Sequence, residues 1–521
     1  MAAAIRKQTQ KNEHDQHALL IHKLQHADLF PHPVTSFEII ETHISWVLLT
    51  GPFAYKFKKP VDLGFLDFST LALRKFYCEE ELRLNRRLAP ALYLEVIAIG
   101  GTTEQPSLLD TTPAIEYAVK MKQFSQDAQL DLVLQRGELN QMHIDKLAQA
   151  VAQFHSALPP ATDDKPYGGL DAVRQPVEEN FAHITRCIGE QEAARLQPLA
   201  AWCERTFIQL KTDFLHRKQN GFIREGHGDM HLRNMALLDE EVVLFDCLEF
   251  NPALRWIDVI NDLAFLIMDL EDRQQPAFAW RCLNRYLELT GDYAGVTVLN
   301  YYKVYRALVR AKVDAIRLSQ PHLSEQERAV ALKDFQAYIK LAQDYTADKQ
   351  PCLILTRGLS GSGKSTHTQT LLQDMGALRI RSDVERKRLY ADTMQPEVLY
   401  SSAATQHTYR HLLELSESLL SAGQTVIVDA TFIKSGHIAP FRQLAEQQQS
   451  RFIILEFTAR PETLRERVRK RRHDVSDADI EVLEHQLQLW SDLPKAFQPL
   501  TITVDTEQPL DMEQLIEKIR H

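Results

Sequence analysis

The sequence predicts an α+β lobe running into a mainly helical lobe, followed by an α/β domain built on a parallel sheet. Three observations predict this. The chain has 521 residues, more than one hydrophobic core usually supports. Five β-like runs crowd into residues 37–122, as in a small antiparallel sheet. Beyond residue 352, the strand-like runs CLILTRG, LRIRSD, TVIVDAT, FIILEFTA and TITVDT alternate with helical stretches, the pattern of parallel strands joined by crossover helices.

Taken in order, Ala18 to Phe30 has helical apolar spacing and is closed by Pro31 and Pro33, so residues 1–29 form an N-terminal helical extension. The runs IIETH, SWVLL and FAYKFK, separated by polar or Gly-Pro breaks, read as strands. A helix over Leu71–Leu88 and the runs YLEVIAI and AIEYAVKM complete a lobe over 30–122. Residues 123–345 are helical in pattern, including IDKLAQAVAQFHSAL and the stretch Asn300–Tyr345, with short strands around 221–250. The segment DYTADKQ loses apolar periodicity, which places a linker at 346–351 and the last domain at 352–521.

The 44% hydrophobic and 25% charged composition is that of a globular protein, and a net charge of -10 argues against coating nucleic acid through bulk electrostatics. No stable nucleic-acid partner is expected. Six cysteines form no CxxC pair and read as reduced thiols. The start MAAAIRKQTQKNEHDQH has no signal-like apolar stretch, and no run approaches the ~20 apolar residues needed to span a bilayer. No membrane association and a cytoplasmic location are the expectations.

GLSGSGKST, Gly358 to Thr366, fills GxxxxGK[ST] between a predicted strand and helix. Gly358, Gly361 and Gly363 let the loop wrap closely, so that its backbone N–H groups, including those of Ser360 and Ser362, can point at phosphate oxygens. Lys364 would reach the β and γ phosphates, Ser365 would ligate Mg²⁺, and Thr366, in the first turn of the following helix, would offer an N-terminal N–H to the anion. Asp429, ending the run TVIVD, would hold the metal shell or its water; capping a neighbouring loop is the competing explanation. SDVERKR puts Asp383 at a strand end and Arg386 one turn later, facing one cleft, unless Ser382 or Asp383 simply caps that helix. RPETLRERVRKRRH carries seven Lys/Arg against two Glu, suiting a lid whose arginines, Arg467 and Arg471 among them, neutralise a transferring phosphoryl group; a solvated basic helix is the alternative.

HGDMHLRN, His227 to Asn234, sets Asp229 and Asn234 five residues apart in HxDxxxxN, and a hairpin across Asp239–Glu241 would return Asp246 beside Asn234. Asn234 and Asp246 then converge on Mg²⁺, with Asp229 beside the attacking hydroxyl. The cation over the phosphates would be Lys56 or Lys58, which share one strand face, Lys59 facing the other way; Lys56 is taken first. Its holding carboxylate comes from Glu79, Glu80 and Glu81, with Glu81 taken first and Glu80 in reserve. Glu249, Arg255, Asp258, Asp262, His155 and His231 are read as structural.

GLSGSGKST, SDVERK, DATF and the basic lid resemble the P-loop kinases of the polynucleotide-kinase, gluconate-kinase and zeta-toxin kind. That resemblance implies phosphoryl transfer from ATP to a hydroxyl, with Asp383 as the base and Arg386 as a phosphate or substrate contact. Residues 30–345 resemble the aminoglycoside-phosphotransferase and choline-kinase family, which implies a protein-kinase-like fold with IEYAVKM as the hinge strand, the backbone near Glu116 to Val119 meeting adenine. The family's glycine-rich phosphate loop is not recognisable, since TGPFAYK offers only Gly51. The tandem is similar to bacterial proteins described as bifunctional aminoglycoside phosphotransferase/ATP-binding proteins. It implies an α+β protein-kinase-like two-lobe domain followed by an α/β P-loop NTPase domain with a parallel sheet, using ATP and Mg²⁺ on small-molecule hydroxyl substrates. Two alternatives stand beside this bifunctional phosphotransferase. In one, a single domain is an active kinase and the other a nucleotide-gated regulator, or the P-loop domain acts on a nucleotide-sugar or a nucleic-acid 5′-hydroxyl. In the other, the chain is a nucleotide-binding interaction protein without turnover.

Overall fold

A computed structural model describes residues 15–64, 66–162, 164–320, 323–348, 350–391, 395–470 and 479–521. The chain forms two compact units that interleave along the sequence. The first comprises Met1–Lys146, Gln153–Val173 and Leu215–Leu266; the second comprises Leu147–Ala152, Arg174–Phe214 and Ile267–His521. Among the described residues, no helix is long and apolar enough to cross a membrane.

The first unit carries a six-stranded antiparallel sheet. Its spatial order is Glu38–Glu41, Ser45–Leu49, Phe53–Lys58, Glu116–Lys122, Tyr93–Gly101 and Pro106–Ser107. The five expected strands are all present, and the short one at Pro106–Ser107 adds to them. β-Branched and aromatic residues at alternate positions favour this pleated, half-buried surface. The helix Leu71–Asn85 starts where the Thr70 hydroxyl accepts the Leu73 N–H at 3.2 Å, satisfying one of the otherwise orphaned donors of the first turn.

A helix over 15–23 contributes Leu20 and Ile21 to an apolar cluster with Leu24, Trp46, Leu48, Tyr55 and Phe57. The N-terminal segment is thus part of the cover of the sheet. It also supplies His17, whose Nε2 lies 2.5 Å from the fully buried Glu116 carboxylate; Arg74 Nε donates to both Glu116 oxygens at 2.9 and 3.0 Å. Burial pushes the Glu116 carboxyl up, but His17 and Arg74 outweigh it and hold the group below its ordinary value.

Further along, Met235–Leu238 and Glu241–Leu244 form a hairpin whose two central residues, Asp239 and Glu240, both have positive φ, 49° and 63°. This is the mirror-image turn that matches the twist of paired strands. It returns the chain so that Asp246 lies close to the residues of the preceding loop.

The second unit is built on five parallel strands ordered Ala377–Arg381, Thr425–Asp429, Cys352–Arg357, Arg451–Thr458 and Thr501–Asp505. All five expected strands are present. Cys352–Arg357 is buried at every position, as expected of a central strand covered on both faces. Ile354, Leu371, Leu372, Ile427, Leu455 and Phe457 lie in the cluster that joins sheet to helices. In the same unit, Val296–Leu318 packs along Glu325–Asp344, and the latter begins in a capping box between Ser324 and Glu327. The helix Pro276–Thr290 packs against Lys364–Met375 and the edge strand Ala377–Arg381.

The Glu116 cluster gives a stability prediction. Arg74→Ala leaves a buried carboxylate with His17 as its remaining partner and is expected to cost about 3–5 kcal/mol in urea unfolding of the full chain. Because the folded carboxyl is depressed, its contribution is present above its unfolded value of about 4.3 and lost as pH falls below that value. The variant should therefore show a shallower loss of stability through that acid range than the parent.

Candidate functional site

In the first unit, strand alternation puts Lys56 and Lys58 on the same face of Phe53–Lys58, toward the helix Leu71–Asn85. Glu81, fully buried on that helix, meets both: Lys56 Nζ donates to Oε1 at 2.8 Å and Lys58 Nζ to Oε2. The second partners separate the two lysines. Lys56 reaches Asp246 Oδ1 at 2.5 Å, whereas Lys58 is bound by Glu249 and is 1% exposed against 13% for Lys56. Lys59 faces away, onto Glu41 at 2.5 Å and over the Trp46 ring. Glu80 pairs with Arg83 and Arg255, and Glu79 with Lys75.

Burial drives the Lys56 ammonium down, but Asp246 and Glu81 more than reverse this and raise it well above its ordinary value. Burial likewise raises Glu81, and the two lysines beside it outweigh that and lower it. Both partners are therefore charged at neutral pH. Tyr93, buried beside Asp246, is raised well above its ordinary value by burial first and by that carboxylate second.

The loop from His227 to Asn234 is held from beneath. Asp262 accepts the backbone N–H groups of His227 at 2.6 Å and Gly228 at 3.0 Å, and His155 Nε2 lies 3.4 Å from it. The His227 ring bonds the Phe245 carbonyl at 2.9 Å, tying this loop to the Asp246 segment. Asn234 Nδ2 donates to the Asp229 carbonyl and to Asp229 Oδ2, each at 3.0 Å, so the spacing of five brings those side chains into contact. His231 Nε2 is 3.3 Å from Asp229 Oδ2. Asp258 is held by Arg217 at 2.6 Å, and Arg255 joins Glu80 and Glu225. Sequence reasoning missed two clamps on the Asp246 segment: the Tyr93 hydroxyl accepts from Asp246 N at 3.2 Å, and Asn85 Oδ1 accepts from Cys247 N at 2.8 Å.

Glu116 and Val119 fall differently from their expected place at adenine. Val119 is ladder-paired to Lys56 on one side and Val96 on the other, Glu116 pairs with Ile99, and the Glu116 side chain is committed to Arg74 and His17. Backbone groups used within a sheet are not available to a base. The ladder ends at Lys122, and the next residues, Gln123–Ser125, leave the strand beside Phe245, whose ring meets that of Phe124 at 5.3 Å between centroids.

In the second unit the loop Gly358–Thr366 leaves the end of the central strand. Its glycines are required by backbone shape: Gly361 and Gly363 have φ of +81° and +86°, and a Cβ at Gly358 would stand 2.7 Å from the Phe457 carbonyl oxygen. Lys364 Nζ donates to the carbonyls of Gly358 and Leu359, both at 2.9 Å. Ser365 Oγ donates to Asp429 Oδ2 at 2.8 Å. The Ser360 N–H is met by Gln486 Oε1 at 2.8 Å, and the Ser362 hydroxyl is buried without a hydrogen-bond partner among the described residues.

A cavity of about 350 Å³ opens here, lined by Lys364, Ser365, Thr366, Asp383, Arg386 and Asp429 with other residues. The expected residues of the P-loop, the second strand end and the third strand end therefore do share one cleft. Arg386 lines it, yet its guanidinium already donates to the Leu399 carbonyl at 2.8 Å and stacks over Tyr400. Tyr400, Tyr409 and Lys434 also line the cavity. They belong to no motif, and sequence reasoning did not find them. Arg467 differs from expectation: it ties the loop from behind, donating to the Thr506 hydroxyl and carbonyl at 2.8 Å and to the Gly361 carbonyl at 3.3 Å. Those bonds direct its guanidinium at the protein backbone. Arg471 lies outside the described residues.

A family model described as an AAA domain matches residues 353–493. With the glycine loop and the parallel sheet, this makes the C-terminal region a P-loop nucleotide-binding domain. The uncharacterized proteins Rv2004c of Mycobacterium tuberculosis and Mb2027c of Mycobacterium bovis are each 30% identical to the chain over 465 residues, 87% of its length and 90% of theirs. The chain belongs to the family of these two proteins. Similar solved structures include a sugar kinase from Janibacter, 22% identical over 32% of this chain and 91% of that one, with a TM-score of 0.27. Another is the amicoumacin kinase hAmiN, 11% identical over 63% of this chain and 95% of that one, with a TM-score of 0.41.

The two lysines are separable by experiment. Lys58→Met strands Glu249 and half of Glu81 in the interior and is expected to lower stability by about 3–5 kcal/mol, read by urea unfolding. Lys56→Met strands the other Glu81 oxygen but leaves Asp246, 40% exposed, to water, and should lower stability by less than Lys58→Met in the same unfolding measurement.

Proposed function

We propose that the protein is a bifunctional phosphotransferase, each unit passing a phosphoryl group from Mg-ATP to a hydroxyl of a small molecule. The observation that carries the reading is the convergence, twice in one chain, of a lysine, a magnesium-type oxygen set and a separate aspartate.

Such a transfer asks little covalent chemistry of the protein; it needs cations over the phosphates, metal ligands and a carboxylate near the nucleophile. In the first unit Lys56 is the phosphate cation and Glu81 its holder. Asp246 and Asn234 are the metal-side ligands, and Asp229, held by Asn234 and His231, is the group that receives the hydroxyl proton. The adenine is met by backbone around Phe124, just past the sheet ladder, the Gln123 N–H being taken by the Pro52 carbonyl at 3.1 Å and the Ser125 carbonyl by Ala128 N at 2.9 Å.

In the second unit Lys364 leaves the carbonyls of Gly358 and Leu359 to pair with phosphate oxygens. Gln486 gives up the Ser360 N–H to the same anion. Asp383 then takes the acceptor's proton, and Arg386 faces the transferred group from the far side of the cavity.

Mg²⁺ fits the donors present. Among the described residues no cluster of three or more His, Cys, Asp or Glu could hold a metal by itself, but Mg²⁺ characteristically takes one or two protein oxygens, with substrate phosphates and water filling the rest. Ser365 with Asp429, and Asn234 with Asp246, are sets of that kind. When bound, the ion neutralises charge developing on the phosphoryl oxygens.

One observation favours a second reading, in which the first unit binds nucleotide as a regulator. The turn above its phosphate position has Gly51 at φ +94°, but the Gly51 N–H is taken by Gln123 Oε1 at 3.0 Å. A backbone donor that could grip phosphate is thus already engaged.

Steady-state ATP turnover by the full chain, by Asp229→Asn, by Lys364→Ala and by the double variant tests the proposal. Each single change should remove one component of the turnover, about 10²-fold or more for that centre, and the double variant should be inert. Loss of all turnover through Lys364→Ala alone would leave the first unit as the regulator. Unchanged turnover in both single variants would end the phosphotransfer reading.

A further inference from the structure

The P-loop centre is anchored by a helix that precedes it by some 70 residues. Pro276–Thr290 lies outside the segment matched by the AAA-domain model, yet it belongs to the same compact unit. Asn284, 3% exposed, bonds the free edge of the strand Ala377–Arg381: its Nδ2 donates to the Ala377 carbonyl at 2.9 Å, and its Oδ1 accepts from Arg379 N at 2.7 Å. One side-chain amide thus replaces a missing strand neighbour.

One turn later, Glu288 Oε1 accepts from Arg379 Nη2 at 3.3 Å, beside Gln369 Oε1, which accepts from the same nitrogen at 2.8 Å. Arg379 is itself 4% exposed, and its Nη1 donates to the Ser365 carbonyl at 2.9 Å and to Thr368 Oγ1 at 3.1 Å. Ser365 is the residue whose hydroxyl meets Asp429. The backbone of Glu288 makes a second link, its carbonyl accepting from Arg388, which is ion-paired to Glu385. Both residues lie on the helix Ser382–Leu389 that carries Asp383 and Arg386.

We propose that Glu288 is a positioning residue of the P-loop centre: with Gln369, its side chain fixes Arg379 and so sets the Ser365 backbone, while its backbone carbonyl, which a substitution leaves in place, holds Arg388 on the helix that presents Asp383. This rests on the reading of that loop as a nucleotide site. A planar guanidinium held at both ends transmits position better than a flexible ammonium, and a displacement of about 1 Å at a reacting group costs up to 10²-fold in rate. Residues 352–521 alone therefore lack part of their own active-site support.

The test uses the full chain with Asp229→Asn in place, so that turnover reports the second unit alone. Glu288→Ala should lower ATP turnover about tenfold. It should also weaken binding of a fluorescent ATP analogue severalfold in Mg²⁺ while leaving binding in EDTA within about twofold, because only the metal-side ligand has moved. Glu288→Gln, whose amide oxygen still accepts from Arg379, should restore most of both. Equal losses with and without Mg²⁺, or a lowered melting temperature with unchanged turnover per folded molecule, would overturn the inference by showing a packing role only. Lys364→Ala serves as the separate control. If it weakens analogue binding while Glu288→Ala behaves as the parent, the positioning role falls and the nucleotide site stands; if it binds as the parent does, both fall.

Discussion

Glu81 is the constraint around which the first unit is organised. A fully buried carboxylate is costly unless its charge is matched, and here each oxygen is matched by a lysine from one strand face. The same two lysines reach onward to Asp246 and Glu249. Strand, helix and the segment after the hairpin are thereby joined through one side chain. Lys58 closes the interior half of this network, and Lys56 leaves the other half at the surface that Asp246 faces. Structure and chemistry divide between two residues only two positions apart.

The second unit solves a similar problem with backbone. Its loop has no room for a Cβ at Gly358, and Gly361 and Gly363 are left-handed. Gln486 meets the Ser360 N–H, and the carbonyls of Gly358 and Leu359 hold the Lys364 ammonium. Nucleotide binding is then an exchange of partners within a formed loop. Its enthalpy is correspondingly smaller than the number of new contacts suggests.

Much of this was legible in the sequence. Five apolar runs gave five parallel strands, and the loop motif placed Lys364 and Ser365 at the strand–helix junction. HxDxxxxN placed Asn234 on Asp229. Alternation put Lys56 and Lys58 on one face, but periodicity carries no information about depth, and only the carboxylates at the far end separate them. Glu116 and Val119 lie inside the ladder rather than at an open strand end, because a single strand does not reveal where its neighbours end. The role of Asn284 left no local signal: its partners lie 93 and 95 residues away, and a buried Asn in a helix reads as a mere breach of the apolar pattern. Arg467 was misplaced by composition, since a basic run does not say which arginine turns back onto the backbone.

Asp246 is held with φ at +62°, a left-handed conformation that Asp, Asn and Gly adopt far more readily than other residues. Its Tyr93 clamp leaves that backbone no easy way to relax. The position is thus filtered twice, once by chemistry and once by shape. A codon change to Glu would keep the charge yet lengthen the side chain on a backbone that resists it. A lineage in which the carboxylate was no longer needed would drift first toward Asn or Gly. Among relatives, the residue at this one position would then tell whether the left-handed turn or the carboxylate is what is kept.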